Sequence, residues 1–155
     1  MIQVGEQVPD LVLPASDGTM VSLKQYAGKY VVLYFYPKDM TPGCTTEACE
    51  FRDMTSQYEA LNAMIVGVSP DPLKSHEKFI QKHELPFLLL SDEEHALAEA
   101  FGVWKLKKMY GREYMGIERS TFIIDPEGKL LKEWRKVKVK GHVEDVLNIL
   151  KALQS

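Results

Sequence analysis

The strongest constraint on the fold is an uninterrupted run of β-branched and aromatic residues at positions 30–36, which Pro37 ends. A run of this kind is typical of a strand that is buried on both faces of a sheet. A second run of the same type follows at residues 64–68. Between the two runs, apolar residues repeat every three or four positions, which is typical of an amphipathic helix. The order predicts a β-α-β unit.

Turn and helix signals divide the rest of the chain. The turn signal at residues 16–18 separates two short extended runs and predicts a β-hairpin. Asp71 followed by Pro72 indicates a helix start, with Asp71 as the N-cap residue and Pro72 as the first helical residue. We expect that helix to end near residue 84, a shorter helix over residues 93–101, strands over 121–124 and 130–137, and a last helix over 142–153.

The order of these elements is a hairpin, then β-α-β-α-β-α, then β-β-α. This order predicts an α/β fold with a mixed central β-sheet, helices on both faces and an N-terminal β-hairpin. A thioredoxin-like architecture fits the order. Fold alone does not identify the reaction, so the function has to be argued from a site.

Length and charge narrow the class of protein. The chain has 155 residues, two cysteines and a formal net charge of -3. A chain of this length can fold without a disulfide or metal, and no break in composition divides it, so we expect one domain over residues 1–155. The near-neutral charge, with no long basic run, argues against nucleic-acid binding. The chain has neither a signal-peptide pattern nor an apolar membrane span, which favours a cytoplasmic protein.

The densest chemical signal is the connection from the first buried strand into the first helix. It has the sequence PKDMTPGCTTEAC over residues 37–49. Thr41 is a typical N-cap residue and Pro42 a typical first helical residue, so we expect Cys44 in the first helical turn. Unpaired N–H groups and the positive end of the helix dipole favour an anion there. The position therefore favours the reactive thiolate form of the cysteine.

Helix geometry separates Cys44 from Cys49. Five residues at about 100° each place the two side chains roughly 140° apart around the helix axis. The apolar stripe of the helix lies on the side of Cys44, so we expect Cys44 in a pocket and Cys49 nearer solvent. In an intact helix their Cα atoms would be roughly 8.7 Å apart, beyond the limit of about 7 Å for a disulfide. A bond between them would require the first turns to unwind.

The segment resembles the peroxidatic motif of the peroxiredoxins, in which proline, threonine and cysteine have the spacing of Pro37, Thr41 and Cys44. Its fuller form, TPGCTTEAC, is similar to the bacterioferritin comigratory protein or peroxiredoxin Q subfamily. A second run, KMYGREYMGIERSTF at residues 108–122, is similar to the same group. The resemblance extends over essentially the whole chain.

The resemblance implies a thiol-dependent peroxidase that reduces hydrogen peroxide and alkyl hydroperoxides and serves antioxidant defence and redox homeostasis. Cys44 would be the peroxidatic cysteine, and its sulfenic acid would be captured by Cys49 as an intramolecular disulfide. Thioredoxin or a similar dithiol would reduce that disulfide. The resemblance implies no metal or organic cofactor, and the subfamily suggests a monomer.

The same resemblance assigns roles to four further residues. Arg119 matches the active-site arginine of the family, whose guanidinium can favour the thiolate and stabilise charge on the leaving oxygen. Thr41 would hydrogen-bond the thiolate or the bound peroxide. Pro37 would shield the pocket from water, and Glu47 would orient the arginine.

Ordinary structural roles compete with these assignments. Glu47 is favourable in a first helical turn through the helix dipole, and Arg119 could be a solvated charge at a strand edge. The aromatic and methionine residues at positions 104–115 are interpreted as packing rather than a substrate groove, although a loop rich in them could rim an active site and accept bulkier hydroperoxides. Solvated lysines are expected at Lys105, Lys107 and Lys108. The histidines show no metal-ligand spacing and are interpreted as surface or helix residues: His76, His83, His95 and His142.

Three other functions use the same two cysteines. A redox-sensing binding protein would need only stoichiometric oxidation. A thioredoxin-type disulfide exchanger would normally carry a C-x-x-C motif, which this chain lacks. A metal site built on Cys44 and Cys49 is the remaining alternative.

Overall fold

The computed structural model describes residues 1–155 and contains nine strands and four α-helices. In chain order these are β1 (Val12–Pro14), β2 (Met20–Ser22), β3 (Tyr30–Phe35), α1 (Pro42–Glu59), β4 (Ala63–Ser69), α2 (Leu73–His83), β5 (Leu88–Ser91), α3 (Ala96–Ala100), β6 (Trp104–Met109), β7 (Arg112–Ile117), β8 (Ser120–Ile124), β9 (Leu130–Trp134) and α4 (His142–Gln154).

The central sheet has five strands in the order β5-β4-β3-β8-β9. Strands β3, β4 and β5 are parallel, whereas β8 is antiparallel to β3 and β9 is antiparallel to β8. Strands β1 and β2 form the N-terminal hairpin. The predicted mixed sheet, thioredoxin-like fold and hairpin are therefore confirmed.

Strand β3 separates two apolar layers, as its uninterrupted apolar sequence predicts. Val31, Leu33 and Phe35 belong to one core cluster, which also contains apolar residues of α3 and of the N-terminal segment. Val32 and Tyr34 belong to the other, which contains residues of α1, α2 and α4. Because successive side chains of a strand point to opposite faces, one buried strand serves both layers.

None of the four α-helices combines the length and the apolar sequence that a membrane-spanning helix needs.

The start of α2 differs from the prediction by one residue. Pro72 is the N-cap residue and the helix begins at Leu73. The side chain of Asp71 does not cap the helix, because its Oδ2 accepts hydrogen bonds from the Ser69 hydroxyl at 2.6 Å and from the Asp39 N–H at 2.8 Å. Asp71 thereby joins the end of β4 to the loop before α1.

Helix α3 is shorter than predicted. His95 has a left-handed backbone with φ of 64°, so the helix begins only at Ala96. The carboxylate of Asp92 accepts hydrogen bonds from the N–H groups of Leu97 and Ala98 at 3.2 and 2.8 Å. Asp92, three residues before the cap position, thus satisfies the N–H groups of the first turn. Strand β9 is also shorter than predicted and ends at Trp134.

Residues 104–117 form a two-stranded ribbon that the sequence analysis did not predict. Strands β6 and β7 are antiparallel and form a sheet of their own. The turn between them is made by Tyr110 and Gly111, whose φ values are 51° and 75°. The packing interpretation is wrong for most of the large apolar side chains here, because the ribbon exposes Leu106, Met109, Tyr110, Tyr114 and Met115.

Two of the four histidines are buried: His76 lies in α2 and His142 begins α4, so both are helix residues, as predicted, but neither is at the surface. His142 is 6% exposed and its Nε2 lies 2.7 Å from Thr121 Oγ1. Burial lowers the pKa of His142 to about 4, so the ring is neutral at physiological pH. His76 is fully buried. Periodicity alone could not identify these positions, because their partners come from distant parts of the chain.

His76 joins α2 to the loop that precedes α1. Its Nδ1 lies 2.7 Å from Asp39 Oδ2 and its Nε2 donates to Leu90 O at 2.9 Å. The carboxylate of Asp39 also accepts from the Tyr36 hydroxyl at 2.6 Å and the Ser75 hydroxyl at 2.8 Å. Because Leu90 O can only accept, Nε2 of His76 carries a hydrogen, and Nδ1 shares a hydrogen with Asp39 Oδ2 in a fully buried contact. This network fixes the loop from which α1 starts.

Replacing His76 with alanine should lower the free energy of unfolding by about 3–5 kcal/mol, because Asp39 would remain buried without its partner. Urea unfolding measures this change. The matched control is Lys78→Ala on the exposed face of the same helix, for which we expect a change within about 0.5 kcal/mol. Equal effects of the two substitutions would contradict the proposed importance of the pair.

Candidate active site

The candidate site forms where α1 begins and β8 begins. Cys44 is the third residue of α1, a short loop beyond the end of β3. Strand β8 is antiparallel to β3 and pairs Ser120 with Phe35. Arg119, the residue before β8, is therefore placed at the same end of the sheet as Cys44. Sheet register thus brings together two residues that are 75 positions apart in the chain.

Arg119 contacts both Cys44 and Glu47. Its Nη2 donates to Cys44 Sγ at 3.3 Å, and its Nη1 donates to Glu47 Oε1 at 2.7 Å. Cys44 is 2% exposed and the side chain of Arg119 is 16% exposed, so the contacts are largely shielded from water. Cys44 is therefore buried, in agreement with its predicted position on the apolar side of the helix, and Arg119 is not a solvated strand-edge charge.

Glu47 is the most deeply buried charged residue of the site. It is fully buried and is the sixth residue of α1, so the helix dipole of the first turn does not explain its position. Burial raises the pKa of Glu47 from 4.5 to about 7, although the charge of Arg119 opposes this shift. The pKa of Arg119 is raised: burial lowers it, but the nearby charges of Glu47 and Cys44 outweigh that effect. The second oxygen of Glu47, Oε2, has no protein partner.

Thr41 occupies the predicted N-cap position, but its side chain does not cap the helix. Its hydroxyl donates to Lys38 O at 2.9 Å. The hydrogen bond from Thr41 to the thiolate is therefore not formed in this structure, and its contact with a peroxide stays a prediction. Pro37 is half-buried at the end of β3. Met40 has a φ of 67°, a left-handed conformation that is uncommon for a residue with a side chain.

Cys49 lies on a different side of α1 from Cys44. It is half-buried and therefore nearer solvent than Cys44, as predicted, and both cysteines are free thiols within an intact helix. The Sγ of Cys49 is 3.8 Å from His83 Nδ1 on α2. The pairing of the two cysteines as a disulfide therefore requires a change in α1.

The sequence analysis missed two features of the site. Lys107 on β6 is half-buried rather than solvated. Burial lowers the pKa of Lys107, the charge of Arg119 lowers it further, and the nearby Cys44 opposes both effects. At Gly43, a Cβ atom would lie 3.3 Å from Arg119 Nη2, so the missing side chain leaves room for the guanidinium. Neither feature has a local sequence signal, because each depends on the placement of Arg119.

One side-chain cluster has the composition of a metal site. Potential ligand atoms of Asp39, Asp71 and His76 lie within 4.8 Å of one another. These atoms already have protein partners: His76 Nδ1 faces Asp39, and Asp71 Oδ2 accepts from Ser69 and from the Asp39 N–H. This is the arrangement of a structural hydrogen-bond network. Neither Cys44 nor Cys49 belongs to this cluster.

The geometry supports the chemistry of a shielded, charge-stabilised thiolate. The start of α1 supplies N–H groups, and Arg119 supplies a guanidinium that can contact both the sulfur and a bound oxygen. A thiolate in these surroundings is a nucleophile. A second thiol, Cys49, lies on the same helix within a few residues.

Comparisons with known proteins agree with this chemistry. Residues 4–132 match the AhpC/TSA family. Peroxiredoxin Bcp of Bacillus subtilis is 65% identical over 150 residues, which cover 97% of this chain and 96% of that protein. Peroxiredoxin Bcp of Escherichia coli K12 is 41% identical over 150 residues, with coverage of 97% and 96%.

Solved structures show the same similarity. Peroxiredoxin Q of Xanthomonas campestris has a TM-score of 0.91 at 48% identity, covering 96% of this chain and 97% of that one. A structure of the bacterioferritin comigratory protein of the same organism, a trapped intermediate/ligand complex concerned with alkyl peroxide reduction, has a TM-score of 0.93 at 46% identity. It covers 99% of this chain and 100% of its own.

The raised pKa of Glu47 predicts a pH-dependent stability. The folded chain holds the Glu47 proton up to about pH 7, whereas the ordinary value is 4.5. The stabilising contribution is therefore fully present below pH 4.5 and is lost as the pH rises through about 7. Glu47→Gln removes this titration. As the pH rises from 4.5 to about 7, the free energy of unfolding of the parent should therefore fall by about 3 kcal/mol relative to that of the variant. Urea unfolding of both proteins across this range measures the difference, and a constant difference would contradict the prediction.

Proposed function

The chain belongs to the AhpC/TSA family and is a thiol-dependent peroxidase of the Bcp/peroxiredoxin Q group, and we propose that Cys44 and Cys49 carry its reaction. Cys44 is the peroxidatic residue and Cys49 is the resolving residue. The observation that carries this proposal is the contact of Arg119 with both Cys44 and Glu47 at the start of α1.

The first step is attack of the Cys44 thiolate on one oxygen of a hydroperoxide. A bond forms between sulfur and that oxygen, the O–O bond breaks, and the second oxygen leaves as hydroxide or alkoxide, which takes up a proton to become water or an alcohol. The guanidinium of Arg119 stabilises the thiolate before the attack and the negative leaving oxygen during it. Glu47 holds the guanidinium in place through Nη1 and leaves Nη2 for the sulfur.

Thr41 and Pro37 act at the rim of the pocket. The hydroxyl of Thr41, once released from Lys38 O, reaches the peroxide, and Pro37 limits the access of water at the end of β3. These two roles follow from the resemblance of residues 37–49 to the peroxidatic motif, and the position of both residues beside α1 supports them.

The second step is attack of the Cys49 thiol on the sulfenic acid of Cys44. The S–S bond forms, the S–O bond breaks, and the oxygen leaves as water with the thiol proton. Because residues five positions apart in an intact helix are too distant for a disulfide, the first turns of α1 unwind in this step. The chain from Pro42 to Cys49 can then close the bond.

An external dithiol completes the cycle by reducing the disulfide to two thiols. We propose thioredoxin for this role, on the basis of the resemblance. Hydrogen peroxide and alkyl hydroperoxides are the proposed substrates. The exposed apolar side chains of the β6–β7 ribbon, whose Lys107 faces the site, are suited to contact the alkyl group of a larger hydroperoxide. The monomeric state and the cytoplasmic location remain predictions.

Serine substitutions separate the roles of the two cysteines. With thioredoxin, thioredoxin reductase and NADPH, Cys44→Ser should consume no peroxide, because the nucleophile is missing. Cys49→Ser should consume one equivalent and accumulate Cys44 sulfenic acid, since no internal thiol captures it. Mass measurement of the oxidised parent should show the loss of two hydrogens, as a disulfide requires.

Undiminished turnover by Cys44→Ser would contradict the assignment of the nucleophile. A single stoichiometric oxidation of the parent, without turnover in the presence of several reducing dithiols, would instead favour a redox sensor.

Hydrogen exchange tests the unwinding of α1. The backbone amides of residues 44–52 should exchange faster in the disulfide form than in the reduced form, because the helical hydrogen bonds of the first turns are lost. Amides of α4, which contains no cysteine, serve as the internal control. Equal protection of residues 44–52 in both forms would contradict the unwinding.

A further inference from the structure

The resolving cysteine has a basic neighbour on a different helix. The Sγ of Cys49 lies 3.8 Å from Nδ1 of His83, within the range of a hydrogen bond that involves sulfur. His83 is the last residue of α2 and is half-buried. Its ring packs edge-on against Phe79, with ring centroids 5.4 Å apart. The imidazole is therefore held beside the thiol by contacts of its own helix.

Arg52 joins the two helices at the same place. Its Nη1 donates to His83 O at 2.8 Å and its Nε donates to Asp53 at 2.9 Å. The hydrogen bond to Asp53 is the main cause that raises the pKa of Arg52, and the proximity of Cys49 adds to it. Cys49 thus lies beside an imidazole, and Arg52, three residues further along α1, holds the backbone of that histidine.

The resolving step needs a base. A free cysteine thiol has a pKa of about 8.5, so only a small fraction is thiolate at neutral pH. Arg119 has no acceptor, and Glu47 is fully buried and bound to it through Oε1, whereas His83 is the base in contact with the Cys49 thiol. A neutral imidazole with an accepting nitrogen next to the thiol can take the proton.

We propose that His83 is a catalytic residue of the resolving step and accepts the thiol proton of Cys49. The electron pair of the Cys49 sulfur forms the S–S bond with Cys44, the S–O bond of the sulfenic acid breaks, and the leaving hydroxide takes up a proton to become water. His83 returns its proton to that hydroxide or to solvent, so no other reactant is consumed. This inference rests on the proposed roles of the two cysteines.

The contacts of Arg52 explain how the base stays in place while α1 unwinds. The hydrogen bond from Arg52 to His83 O ties the part of α1 after Cys49 to α2. Because Arg52 follows Cys49 in α1, residues 42–48 can unwind without breaking this hydrogen bond. Cys44 is therefore the residue that moves, and Cys49 meets it beside His83.

The first test needs no peroxide. In a Cys44→Ser background, where Cys49 is the only thiol, the rate of alkylation by iodoacetamide reports thiolate formation at Cys49. Adding His83→Gln should slow alkylation about fivefold or more, because glutamine can hydrogen-bond but does not take up the proton. The matched control is His95→Gln, a half-buried histidine that stacks on Trp104. It should leave the rate unchanged. Equal rates with and without His83→Gln would overturn the proposal.

The second test follows the two steps by rapid mixing with hydrogen peroxide. His83→Gln should oxidise Cys44 at the rate of the parent but form the disulfide about tenfold more slowly. The longer-lived sulfenic acid should then yield more sulfinic acid at high peroxide. An unchanged rate of disulfide formation would overturn the role of His83. Failure of Cys44 oxidation in the parent itself would contradict the proposed function instead.

Discussion

The contact between Arg119 and Cys44 is the interaction on which the rest of the site depends. One guanidinium contacts the sulfur through Nη2 and the carboxylate of Glu47 through Nη1, and a planar group with fixed donors can do both at once. The fold supplies this contact in two parts: the loop after β3 leads into α1, whose first turn contains Cys44, and the pairing of β3 with β8 places Arg119 beside it. The buried network of Asp39 and His76 fixes the same loop from the side of α2.

Helix α1 maintains the contact between Arg119 and Cys44 but prevents a disulfide between Cys44 and Cys49. The intact helix keeps Cys44 at its positive end and in contact with Arg119, which favours the thiolate. The same intact helix keeps Cys44 and Cys49 too far apart to form a disulfide. In the proposed cycle, oxidation of Cys44 and its resolution by Cys49 thus need different states of one segment. A proline-initiated first turn that lacks a side-chain cap, because the Thr41 hydroxyl donates to Lys38 O, is suited to that exchange.

Features with a local sequence pattern could be predicted from the sequence, whereas contacts between residues far apart along the chain could not. The run at residues 30–36 predicted β3, because a strand buried on both faces has a local pattern, and helix periodicity correctly separated Cys44 from Cys49. The burial of His76 could not be predicted, since its partner Asp39 is 37 positions away. The β6–β7 ribbon was missed because its turn places Tyr110, an unusual residue for a positive φ, where Asn or Gly is typical.

The most direct test of the central claim is the rate constant for oxidation of Cys44 by hydrogen peroxide in Arg119→Lys, measured in a single turnover. Lysine keeps the positive charge but cannot contact the sulfur and Glu47 with two fixed donors. The account predicts a rate about 10- to 100-fold below that of the parent, with the fold retained. A rate equal to that of the parent would show that the guanidinium contact does not drive the reaction and would contradict the account.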